Sequence, residues 1–123
     1  MATLNDRVFD NGLTVLDTEA DEVHITSQEV TTYTEATSTY TLGNSASLSI
    51  GTPEDRTGGG RKVVVAAISD GSVTGSGTAT HYALVDTGNS RLLATGSLTA
   101  SQAVTSGNTF TLSSFDIGIP DPA

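Results

Sequence analysis

The chain has no cysteine, no tryptophan, and only five basic residues among its 123. Without cysteine there is no disulfide, no thiolate metal site and no cysteine nucleophile. Five bases against 14 acids leave a net charge of −9. Nucleic-acid phosphates are held by clustered Lys and Arg, so this balance argues against a nucleic-acid partner. Hydrophobic residues reach 36% and aromatics 5%, against about 45–50% apolar in a typical domain. Any core is therefore thin. No run approaches the ~18 apolar residues of a spanning helix, so no membrane partner is expected. MATLNDRVFD, the first ten residues, has neither the basic start nor the apolar stretch of a signal peptide. On this reading the chain is made in a cytoplasm and used there, or in a particle assembled there.

What fills the composition is Thr and Ser, at 21 and 14 residues, with 13 Gly. Thr is β-branched and suits strands; Gly supplies turns. The acid is uneven. Residues 1–35 hold eight acids and one base, a balance of −7, while residues 36–123 hold six acids and four bases, a balance of −2. The N-terminal third is thus suited to docking on a basic surface.

One domain is expected over residues 1–123, in three stretches. Residues 1–51 read as a helical, then strand-like, then irregular segment. Leu4, Val8, Phe9, Leu13 and Leu16 fall on one helical face within 3–18, with Thr3 and Asp6 as a loose capping box. VHIT (23–26) and SLSIG (47–51) read as short strands, and the Thr-rich 28–47 as extended or irregular cover. Residues 52–60, TPEDRTGGG, read as a loop. Residues 61–119 read as antiparallel strands: 61–69, 80–86, 91–99 and 109–119. Turn signals separate them at Asp70-Gly71, Gly75–Gly77, Thr87–Asn89 and Ser106–Asn108. The run Val63–Ile68 lacks alternation, which predicts a central strand buried on both faces. The fold class is therefore mainly β, an antiparallel β-sandwich or small barrel with a short N-terminal helical segment.

ALVDTGNS, residues 83–90, carries the Asp-Thr-Gly signature of the retroviral-type aspartic proteases. Such a homodimer would share one proton between two Asp86 carboxylates about 3 Å apart. The resemblance is short. In those enzymes the triplet comes early, a Gly-rich flap follows, and a Gly-Arg-Asp or Gly-Arg-Asn helix closes the domain. Here Asp86 has 37 residues after it, the Gly-rich loop lies before it, and neither triplet occurs. The flanks are instead two matched strands. Asp86 and Asn89 are therefore expected to cap a turn, with Gly88 at positive φ, and no catalytic residue is assigned.

Three further patterns give no site. Asp17-x-Glu19-x-Asp21 opens like a calcium loop, but the sixth and twelfth positions are Glu22 and Gln28, not Gly and Glu. Calcium binding by the acidic third stays open. In Gly58–Val63, GGGRKV, Lys62 enters a β-branched run instead of a helix, unlike a phosphate loop. His24 and His81, the two histidines, have no indicated third ligand. No metal or cofactor is assigned.

The texture of ATLNDRVFD (2–10), TSQE (26–29), TYTEATSTYTLG (32–43) and the Thr/Gly-rich strands over 62–119 resembles small virion proteins of tailed bacteriophages. The resemblance implies a non-enzymatic capsid decoration (cement) protein. Its partners would be the major capsid protein and further copies of itself, often as a trimer, on the capsid surface. It transfers no functional residues. Candidate contacts come from the N-terminal stripe: Leu4, Arg7, Val8, Phe9, Leu13 and Leu16. The alternatives are a tail or head-fibre component and a receptor- or glycan-binding β-module. The latter would need exposed aromatics, for which Tyr33, Tyr40 and Tyr82 are available.

Overall fold

The β-branched runs do become strands, but the chain divides them differently from their sequence order. The computed structural model describes residues 6–120, with side-chain surroundings for residues 11–120 other than Thr99. Helix α1 (Asp6–Glu19) comes first. Nine strands follow: β1 (Glu22–Thr26), β2 (Thr41–Ser45), β3 (Glu54–Asp55), β4 (Arg61–Val65), β5 (Ile68–Val73), β6 (Gly77–Asp86), β7 (Arg91–Val104), β8 (Thr109–Leu112) and β9 (Phe115–Ile119). Every strand pairing is antiparallel. The chain is thus mainly β with an N-terminal helix.

Two compact units share the strands. Among the described residues, the first comprises 6–19, 49–67 and 113–120; the second comprises 20–48 and 68–112. The first unit holds a three-stranded sheet in the order β3-β4-β9. Helix α1 packs on its central strand, β4. Among the residues whose burial is described, Leu13, Leu16, Val63 and Val65 are the buried apolar residues of this unit.

The second unit holds a six-stranded sheet, β7-β6-β1-β2-β5-β8. Its largest fully buried side chains include Val23, Ile25, Val30, Leu84 and Val85. The sheet is open, which sets aside a closed barrel. Its edge strands β7 and β8 share no backbone ladder; Gln102 Nε2 donates to Thr111 O across 2.6 Å. The Thr-rich stretch before β2 contains a π-helical turn, Glu35–Thr39. Val30 and Ala36 there pack with Ala83 and Val85, and Tyr33, Tyr40 and Leu92 lie against them.

Several expectations are corrected. The Val63–Ile68 run is not one strand buried on both faces. It splits between β4 and β5, which lie in different sheets. Val63, Val65 and Ile68 are buried, whereas Ala66 and Ala67 are exposed. Two alanines offer too little apolar surface to hold the middle of that run inside. The 109–119 run divides likewise, at exposed Ser113 and Ser114. SLSIG contributes only an isolated bridge, Ile50 to Val65. Asp70-Gly71 is not a turn but the middle of β5, where Gly71 faces Phe110.

Candidate functional site

Three places in the fold bring chemistry-bearing or exposed apolar side chains together. The first is the β6–β7 turn. Asp86 ends β6 at 6% exposure. Its Oδ1 accepts from the Gly88 amide at 3.1 Å and its Oδ2 from Asn89 Nδ2 at 2.8 Å. Both oxygens thus hold their own loop, which is an Asx-type turn. The loop is tied down a second time. Asp21, just before β1, accepts from the Thr87 amide at 3.0 Å and from the Thr87 hydroxyl at 2.6 Å. Those two bonds, the hydroxyl first, keep the Asp21 carboxyl below its ordinary value of 3.8. The residue at positive φ is Ser90, at 53°, and not Gly88. The turn reaches the left-handed region one step before β7 begins, so Gly88 carries no conformational demand.

The second place is a polar cluster in the six-stranded sheet. Glu22 and His24 stand on one face of β1, with Asn44 directly opposite His24 on β2. His24 Nδ1 lies 2.9 Å from Thr41 Oγ1, and Nε2 lies 2.6 Å from Glu22 Oε1. Asn44 Nδ2 donates to the same Glu22 oxygen at 2.9 Å. Carboxylate, imidazole and hydroxyl in line resemble a nucleophile relay. Two facts count against that use. The imidazole is 5% exposed, and Thr41 Oγ1 is also placed to donate to Gly43 O at 3.2 Å, within its own strand. His81 sits on the same face, diagonal to His24 across β1 and β6. Its Nδ1 lies 2.8 Å from Thr80 Oγ1.

Among the described residues, no three His, Asp or Glu side chains form a group that could hold a metal. Asp17 and Glu19 lie two residues apart on α1, so they point to different sides of the helix. In the three-stranded sheet, Gly58, Gly59 and Gly60 all have positive φ and turn β3 back onto β4. A cavity of about 380 Å³ there is lined by Arg56, Thr57, Lys62, Asp116 and Gly118. Its cations are already engaged. Lys62 Nζ meets Asp116 at 3.0 Å and Glu54 at 3.7 Å, and Arg56 Nη1 donates to Gly59 O.

The third place is apolar. Of the N-terminal stripe, Leu13 and Leu16 are 2% and 8% exposed and belong to the unit's own core. Leu4 lies outside the described residues. Arg7, Val8 and Phe9 lie on α1, but their side chains lie outside the described set. What the stripe misses is Val15, at 38% exposure, and Ile119 on β9, at 37%. They flank Gly12: Ile119 Cδ1 lies 3.8 Å from where a Gly12 Cβ would stand, and Val15 is three residues along the same helix face. Nothing in the apolar periodicity marks this patch, because half of it comes from the far end of the chain. Tyr33 and Tyr40, the aromatics a glycan-binding module would present, rest against the core of the second unit.

Compared with models of protein families, with curated proteins and with solved structures, the chain matches none.

Proposed function

We propose that this chain is a non-enzymatic structural protein of a tailed-phage virion, a decoration or cement protein that binds the capsid lattice. The observation that carries the docking half of this reading is the Val15–Gly12–Ile119 patch. Val15 and Ile119 are the exposed large hydrophobics among the described residues; Ile119 lies against the Gly12 position and Val15 is three residues on from Gly12 along α1. An exposed apolar patch with acidic Glu19 four residues on from Val15 along the same helix face suits a partner with a matching apolar spot and a basic rim. The phage assignment rests on the sequence texture. The partners are the major capsid protein and further copies of this chain, a trimer being favoured by the same resemblance; closed symmetry would give each copy the same contacts. The place of action is the capsid surface, after synthesis in the host cytoplasm.

The protease reading has less to rest on, because each Asp86 oxygen is engaged within its own turn.

Deleting the N-terminal segment is a poor test, since Leu13 and Leu16 are core residues. The double substitution Val15→Asp with Ile119→Asp leaves that core in place. Co-sedimentation with capsids should then fall at least tenfold, while the thermal melt of the free protein moves little. Capsid binding that survives the double substitution unchanged sinks the docking surface. Failure of the wild-type chain to bind capsids sinks the functional reading itself.

A further inference from the structure

The face of the three-stranded sheet away from α1 carries a guanidinium that its own chain leaves without a counter-charge. Cross-strand partners share a face, and so do residues two apart on one strand. Glu54 on β3, Lys62 on β4, and Asp116 and Gly118 on β9 therefore stand on one side. Val63, Val65 and Ile119 stand on the other, beside α1. Arg56 follows β3, and its side chain reaches across to β9. A Cβ on Gly118 would meet Arg56 Cδ at 3.0 Å and Nε at 3.2 Å, so the stem rests on bare strand backbone. Glycine inside a strand marks such close approaches. The head is fixed as well. Nη1 donates to Gly59 O at 3.0 Å. The loop closes around it, Arg56 N donating to Gly60 O at 3.2 Å and Gly59 N to Arg56 O at 3.1 Å.

Holding Nη1 this way leaves Nε and Nη2, the parallel pair of N–H groups that matches the two oxygens of a carboxylate. Among the described residues no carboxylate takes them, although the chain has 14 acids for five bases. The neighbouring cations are matched, Arg61 with Asp55 and Lys62 with both Asp116 and Glu54.

We propose that this fork binds a small, hydrophilic monocarboxylate, taken into the cavity of about 380 Å³ that Arg56, Thr57, Lys62, Asp116 and Gly118 line. The charges select the anion. Two carboxylates around Lys62 leave one negative charge over, so Arg56 can balance a single charge and a dianion meets repulsion. The lining selects the rest of the ligand. It offers polar groups and no apolar wall, so a hydrocarbon tail gains little by entering, whereas a hydroxyl finds the Thr57 hydroxyl and the Asp116 carboxylate. The site is on the opposite face of the sheet from Ile119 and is independent of the capsid reading.

An ion pair open to solvent is weak, so the readout is NMR. The arginine Nε–H signals of the full chain are titrated with sodium acetate and, in parallel, with sodium sulfate at equal ionic strength, with Arg91 as internal reference. Acetate should move the Arg56 signal along a saturating curve, with a dissociation constant several-fold below that of sulfate, while Arg91 stays in place. Arg56→Lys keeps the charge and removes the fork; read at the Gly59 and Gly118 amides, it should weaken acetate at least tenfold with little change in the melt. A drift shared by all arginine signals, sulfate binding as tightly as acetate, or unchanged acetate binding by Arg56→Lys each overturns the proposal. If Arg56→Lys does not fold, the wild-type titration decides alone. If the Arg56 signal moves with protein concentration in the absence of acetate, a carboxylate of another copy fills the fork and the small-ligand assignment falls.

Discussion

The β6–β7 turn offers a test in which four substitutions at three neighbouring residues should rank in an order that turn chemistry read from sequence would reverse. Asp86→Ala removes the acceptor of two charge-assisted hydrogen bonds, from the Gly88 amide and Asn89 Nδ2. Such bonds contribute more than neutral ones, but both donors belong to exposed residues and can turn to water. The net cost is therefore about 1–2 kcal/mol, not the full penalty of a buried orphan. Asp86→Asn keeps one acceptor for the Gly88 amide but sets an amide group against Asn89 Nδ2. Its cost should fall between zero and that of the alanine. Gly88→Ala should be nearly silent, within about 0.5 kcal/mol. Gly88 is not at positive φ, and an added Cβ would meet Asp86 Oδ1 at 3.5 Å, an ordinary contact. Ser90→Gly should be neutral or stabilising by up to about 1 kcal/mol, because Ser90 is the residue held at φ 53°. Urea unfolding with an unchanged slope against denaturant reads all four. If Gly88→Ala costs more than Asp86→Ala, the hydrogen-bonded account of this turn is wrong.

Two further outcomes follow from the same structure. Gly71→Val should destabilise the second unit by roughly 1–3 kcal/mol or more, since its side chain would stand inside the Phe110 ring; a melt unchanged from wild type would contradict the close packing. Asp21 has a folded value below 3.8, so its contribution is present above that value and is lost as pH falls through it and lower. Melts between pH 5 and 2.5 should therefore fall more steeply for wild type than for Asp21→Asn, and parallel curves would remove Thr87 as the cause.

The β character of this chain was legible because it is written locally. Thr, Val and Ile runs broken by Gly and Asn predict strands at β1, β4, β6, β7 and β8, and all of them form. The division into two sheets was not legible. β4 takes β9 as partner, with Val63 opposite Ile117, while the next strand, β5, pairs with β2 and β8. No local signal tells a Val-rich strand which distant strand it will join, and a short exposed link at Ala66-Ala67 is enough to change sheets. The polar cluster was equally hidden. Glu22, His24 and Thr26 alternate with Val23 and Ile25, a pattern that reads as one buried and one solvated face. In the fold His24 and Thr26 are buried as well, because the stretch with Val30 and Ala36 covers that face of the sheet.

The thin core also explains two glycines in the middle of strands, where glycine weakens a sheet by leaving nothing to pack. Gly71 on β5 is the cross-strand partner of Phe110, and Gly96 on β7 is the partner of Tyr82. In each pair the ring lies over the glycine so closely that no Cβ could be added without moving it. The aromatic side chain fills the space its partner leaves, as is seen where aromatics compensate glycine across a sheet. With only three Phe and three Tyr in the chain, placing two of the six rings this way is a large share of the aromatic surface. A ring over a bare backbone buries more of itself than a ring beside another side chain of equal height. Read from sequence alone, Asp70-Gly71 is a turn, because glycine after aspartate signals one. The deciding residue, Phe110, lies 39 positions away, and the signal exists only once the register is known.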